Sequence, residues 1–167
     1  MTALSKEYER SFPNPLDMIE HIAASNDWLF ERPSEQDIAV EVTGHWCDYR
    51  IFVSWHADVN VLLFACAFDM RVPDKKSESI HPLLAMINER LLVGHFDLWS
   101  DDGLPVFRHA ILLRGAASVS REQLEDIVDI AFAESERYYP AFQFVIWGGK
   151  SPEEAMAAAI LETEGEA

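Results

Sequence analysis

The stretch from Ile80 to Leu113 limits most sharply what this chain can fold into. Its first part, IHPLLAMINERLLVG, places Ile80, Leu83, Leu84, Ile87, Leu91 and Leu92 at helical spacing, which predicts a helix with one buried face. Pro82 is tolerated only in a first helical turn, so Ser79 is the candidate cap, and Gly94 is the expected terminator. The second part, HFDLWSDDGLPVFRHAILL, reads as two strands reversing at Ser100-Asp101-Asp102-Gly103, residues that supply the backbone freedom of a tight turn. A one-faced helix running into a hairpin predicts a small α+β domain.

The rest of the chain extends that pattern. Asn14-Pro15 starts a helix, and Leu16, Ile19, Ile22 and Ala23 share one face up to about Asn26. Trp28 to Glu31 reads as a short extended piece, ended by Pro33 and Ser34. A strand from Asp37 to Thr43 alternates Ile38, Val40 and Val42 with Ala39, Glu41 and Thr43. Gly44-His45 turns into a strand from Cys47 to His56, with Tyr49, Ile51, Val53 and Trp55 on one face. After Ala57-Asp58 comes a strand from Val59 to Met70. It is apolar on both faces in its middle, as expected of a central strand or one covered on both sides. Ser120 and Gln123 have capping-box spacing before a helix carrying Leu124, Ile127, Val128, Ala131, Ser135 and Tyr138, which Pro140 is expected to kink or interrupt. Ser151-Pro152-Glu153-Glu154 opens a last, alanine-rich helix. The expected order is α-β-β-β-α-β-β-α-α, an antiparallel sheet of about five strands with helices packed on one face. A single domain spans residues 14–162, and residues 1–13 and 163–167 are expected to be flexible.

Composition narrows the functional classes. The chain has 167 residues and is 49% hydrophobic, enough for one domain with a real core. It carries 13 basic against 29 acidic residues, a net charge of -16. Such a surface repels phosphate backbones and anionic membranes, and suits solubility or a basic or amphipathic partner. The first residues lack the apolar core of a signal peptide, and the longest apolar run, Val61 to Phe68, is too short to span a bilayer. A cytoplasmic location follows as the expectation.

The motifs of site chemistry are weak. His45-Trp46-Cys47 would put two metal-ligating types on one strand face, but no second local pair accompanies it and the other histidines stand singly. No metal or cofactor is therefore expected. Cys66 sits among apolar strand residues, where a thiol is ordinarily packing. Asp101-Asp102 reads as turn chemistry. Gly149-Lys150-Ser151 ends like a phosphate loop, yet no glycine stands at Gln143 or Phe144, and the segment joins two helices. There is no Gly-x-Ser-x-Gly elbow. The expectation is a protein that is not an enzyme.

The run INERLLVGHFDLWSDDGLPVFRHAILL resembles the YbjN family of bacterial proteins described as sensory transduction regulators. The resemblance is carried by Ile87-Asn88, Gly94-His95-Phe96, Asp102-Gly103 and Phe107-Arg108, and by YYPAFQFVIWGGKSPEEAMAAAI from Tyr138 to Ile160. It implies the fold of type III secretion chaperones and an acidic protein, a homodimer, acting through protein contacts, with no catalytic residues to carry over. Read by themselves, Asn88 either bridges to the hairpin backbone or is merely exposed, and Arg108 is placed to pair with Asp97 or Glu89.

Two functions from different classes remain. One is a regulatory or chaperone-like module that holds an amphipathic or extended partner segment against a sheet edge or an apolar groove. The other is a small-molecule sensor with a pocket between sheet and helices lined by Trp55, Trp99 and Phe107. Together with Arg108, Tyr138 and Trp147, these residues form the candidate partner or pocket surface.

Overall fold

The computed structural model describes residues 13–165, with side chains through Glu162. Helix α1, Pro15–Ser25, starts where the sequence says it must. The Asn14 side chain accepts the Leu16 N–H at 3.0 Å and Pro15 fills the first helical position. A cap of this kind contributes about 1 kcal/mol. Leu16, Ile19, Ile22 and Ala23 are buried. Fully burying the three larger ones contributes about 1.5–3 kcal/mol each, so packing outweighs capping.

Six antiparallel strands follow: β1 Leu29–Glu31, β2 Asp37–Thr43, β3 Asp48–His56, β4 Val61–Ala67, β5 His95–Trp99 and β6 Leu104–Leu112. Their order across the sheet is β1-β2-β3-β4-β6-β5. About five strands were expected. The sixth is the short extended piece near Trp28, which pairs with β2 in the register Leu29↔Glu41, Phe30↔Val40, Glu31↔Ala39. The β4 strand is central, between β3 and β6, as its two apolar faces require. It is shorter than the sequence suggested. Phe68, Met70 and Val72 beyond its end stay buried, with the Phe68 and Val72 N–H groups donating to Pro105 and Gly103 at 3.1 and 2.7 Å.

Helix α2, Ser77–Asn88, differs from expectation at both ends. It begins from a 3-10 turn at Asp74–Lys76 rather than from a Ser79 cap, and Pro82 sits inside it. Pro82 lies on the exposed side, where water can reach the carbonyl its missing N–H leaves unbonded. The helix stops at Asn88, not near Gly94, and Leu92 is 99% exposed instead of extending the buried stripe. Gly94 serves β5 instead. Its φ is +72°, and a side chain there would collide with the Phe107 ring and the Arg108 carbonyl.

Helix α3, Arg121–Ile146, opens on the full capping box of Ser120 and Gln123 and runs uninterrupted through Pro140. An internal proline costs about 3 kcal/mol. Tyr139, Phe142, Val145 and Ile146 are buried around it, and at about 1.5–3 kcal/mol apiece they more than offset that cost. Helix α4, Pro152–Gly165, is capped by Ser151 and Glu154 and buries Ala155, Met156 and Ala159. Of the segments expected to be flexible, residues 1–12 and 166–167 lie outside the described residues, and 163–165 continue α4.

One face of the sheet makes the core. Ile38, Val40, Val42, Tyr49, Ile51, Val53, Trp55, Leu62, Phe64, Cys66, Phe96 and Phe107 join the buried faces of the four helices in one cluster. The alternate strand residues belong to none of it. Among the described residues no helix covers that second face.

Candidate functional site

Strand alternation puts Glu31, Ala39, Glu41, Arg50, Phe52, Leu63, Ala65, Ala67, Val106 and Arg108 on the helix-free face. A row of contacts crosses it. Arg50 pairs with Glu31 at 3.0 Å, its guanidinium lies 5.4 Å from the centre of the Phe52 ring, and Phe52 meets Trp99 at 5.7 Å between ring centres. Trp99 belongs to β5 and two strands, β6 and β4, lie between it and Phe52, so the end of the β5–β6 hairpin leans back over both. Ala65, Ala67 and Val106 are buried although they lie outside the core cluster. Small side chains in β4 let the tryptophan lie low across the sheet. Beside this row, Leu29, Phe30, Glu31, Ala39, Glu41 and Arg50 line a depression of about 280 Å³. Leu29 is 73% exposed.

The expected surface residues divide between the two layers. Trp99 and Arg108 are on the helix-free face, and Arg108 pairs with Asp97 at 3.5 Å, one of its two anticipated partners. Trp55 and Phe107 face the other way and are core residues. The three aromatics named for a pocket between sheet and helices therefore do not meet: Trp99 is separated from Trp55 and Phe107 by the sheet. Tyr138 is buried against Phe96, while Trp147 at the end of α3 is 63% exposed. Leu29, Glu41, Arg50 and Phe52 were not singled out from sequence. The available signal was the alternation itself, in which Phe52 and Arg50 fall on the face opposite Ile51 and Val53.

A second polar group lies where the β2–β3 turn meets α3. The Glu136 carboxylate accepts the His45 and Trp46 N–H groups at 3.0 and 3.4 Å, and Trp46 stacks on Tyr139 with ring centres 6.2 Å apart. The Tyr139 hydroxyl donates to Asp69 at 3.3 Å. Among the described residues the buried Tyr49 hydroxyl has no partner in hydrogen-bonding geometry, and burial beside Glu136 pushes it far above the usual phenol range. Burial pushes Cys47 and Cys66 up to about 12 each, and the Cys66 thiol accepts from Ser135 at 3.4 Å. At neutral pH these thiols and phenols stay protonated, so the group holds the turn on the helix by hydrogen bonds and ring packing. Among the described residues, no group of three or more His, Cys, Asp and Glu is placed to hold a metal ion.

The Asn88 side chain joins α2 to β5. It accepts the Phe96 N–H at 2.7 Å and donates to the Phe96 carbonyl at 3.1 Å. β5 is an edge strand, and this one amide gives Phe96 the pair of bonds that a neighbouring strand would give. β1, the opposite edge, has all three residues exposed and is the less protected of the two.

Residues 15–144 match the model of the YbjN family, described as "Putative bacterial sensory transduction regulator". Among solved structures the chain is similar to the one described as "Crystal structure of YbjN, a putative transcription regulator from E. coli". The two share 15% identity, with 90% of this chain and 92% of that chain covered and a TM-score of 0.49. No curated protein matches the chain.

Proposed function

This chain belongs to the YbjN family, and from that premise we propose that it is a non-enzymatic regulatory module that acts by binding another protein, in a chaperone-like way, in the bacterial cytoplasm. The observation that carries this reading is the helix-free sheet face, where Phe52, Trp99 and Leu29 lie among carboxylates. Apolar surface framed by polar groups is what a protein partner buries. The raised thiols and phenols supply no ready nucleophile, which fits a binding role. No helix of the described residues is long and apolar enough to cross a membrane. The same reading includes a homodimer, for which exposed Trp147 offers apolar area away from this face.

Affinity purification of the full chain from its native host, followed by mass spectrometry, tests the reading. The expected result is a protein partner that rebuilds a complex of fixed stoichiometry when both proteins are purified. Failure to recover such a partner overturns it. The competing reading, a small-molecule sensor, has one observation in its favour: Ile22, Asn26, Trp28, Glu125, Val128 and Asp129 line a depression of about 280 Å³ between α1 and α3. A melting shift with small cations bearing an apolar group, in the absence of any protein partner, would favour it.

A further inference from the structure

We propose that the helix-free sheet face, at its β1 end, binds a basic amphipathic segment of a partner protein, seating an aliphatic side chain on Leu29 and Ala39 and a cation between Glu31 and Glu41. The proposal rests on the protein-binding reading and specifies its partner. Charge is the first argument. Histidines aside, among the described strand residues this face carries Glu31, Asp37, Glu41, Asp48 and Asp97 against only Arg50 and Arg108. Both arginines are already committed, to Glu31 and Asp97. Register places Glu41 between Leu29 and Arg50, yet Arg50 turns to Glu31, and Glu41 has no ion pair among the described residues. The depression therefore keeps one carboxylate in excess, on a floor whose apolar side chains are Leu29 and Ala39. A cation beside an aliphatic group matches it, and an acidic segment does not.

The second argument excludes a second copy as the occupant. Each chain carries a net charge of -16, and apposing two copies of this face would bring Glu41 and Asp37 against carboxylates of the same kind without a free cation between them. The row of Phe52 and Trp99 extends the apolar contact beyond the depression, so a segment crossing the sheet meets the carboxylates first and the aromatic pair next. β1, short and with every residue exposed, leaves that approach open.

The test is a titration of the isotopically labelled full chain, followed by amide chemical shifts, at about 0.15 M salt so that long-range attraction is screened. The probes are two short synthetic peptides, one alternating lysine and leucine, the other glutamate and leucine. The lysine peptide is expected to shift Leu29, Glu41, Phe52 and Trp99, and the glutamate peptide to shift nothing. Glu41→Gln, which keeps the strand and removes one charge, should weaken binding about threefold, and Glu41→Lys about tenfold. Glu153→Lys, in the first turn of α4, should change it by less than about twofold, since a distant charge acts only through screened attraction. Equal weakening by Glu41→Lys and Glu153→Lys, or shifts spread over the helical layer, would show attraction without a site and overturn the proposal. So would a change of molar mass in Glu41→Lys, which would make the face an interface between copies. A host partner that still copurifies undiminished with Glu41→Lys would sink this face and keep the protein-binding reading. The expected peptide effects without any host partner would do the reverse.

Discussion

At the scale of single residues, two side chains give measurable consequences. Asn88 supplies both edge bonds of Phe96, whose side chain is buried. Asn88→Ala leaves one N–H and one carbonyl without partners, and each such loss costs about 1–3 kcal/mol where water cannot replace it. Urea denaturation should show about 2–4 kcal/mol of lost stability. A loss under about 0.5 kcal/mol would mean that water already serves the edge of β5. Of the two readings of Asn88 that the sequence left open, the bridge to the hairpin is the one the fold uses. His109 gives a pH signature. Burial first, and His95 second, hold its pKa below the ordinary 6.5. The unfolded chain therefore takes up a proton before the folded chain does. The contribution of His109 is fully present above the unfolded value and is lost as pH falls from 6.5 towards the lower folded value. Comparing stability at about pH 8 and about pH 5.5, His109→Gln should lose less than the parent protein. Equal losses in the two proteins would show that His109 titrates alike in both states.

At the scale of elements, the starts of α1, α3 and α4 were more legible than either end of α2. The caps at Asn14, Ser120 and Ser151 each name a helix start, because a side chain that satisfies a free N–H leaves a local mark in the sequence. The end of α2 left no such mark. Leu91 and Leu92 continue the apolar spacing, but the chain must leave the helix at Asn88 to bring Phe96 beside Phe107, and tertiary pairing overrides periodicity. Pro140 misleads in the same way, since its cost is local and the burial that offsets it is not. β1 was legible as an extended piece but not as a strand of the sheet, because three exposed residues have no pattern until β2 pairs with them. The central turns of α2 test the part that was legible. Ile87 and Leu84 are buried against the core, whereas His45 is an exposed turn residue whose backbone N–H donates to Glu136 and whose ring meets Trp46 edge-on at 4.7 Å. Leu84→Asp and Ile87→Asp each bury a carboxylate that must lose hydration or take up a proton. Each should cost more than about 3 kcal/mol in thermal melts, and His45→Ala less than about 0.5 kcal/mol. Equal losses among the three would mean that the His45 side chain holds more than the turn.

At the scale of the whole molecule, the sequence carried the α+β class, the antiparallel sheet and its buried face, because alternation and helical spacing are written in every element. It did not carry the site. Trp55, Trp99 and Phe107 look alike in a list of aromatics, and only the register of β3, β5 and β6 shows that the sheet separates Trp99 from the other two. The charge of -16 is legible too, and it bears on assembly. A homodimer of this chain joins two strongly negative bodies, so its apolar contact must work against their repulsion. The Debye length is about 30 Å at 0.01 M salt and about 8 Å at 0.15 M. Screening therefore removes most of the repulsion while leaving the apolar contact intact. Light scattering should find a dimer at about 0.15 M salt whose dissociation constant rises as salt is lowered. A monomer at both salt concentrations would rule the dimer out. A dimer that loosens as salt is added would place ion pairs, rather than exposed apolar residues such as Trp147, at the contact.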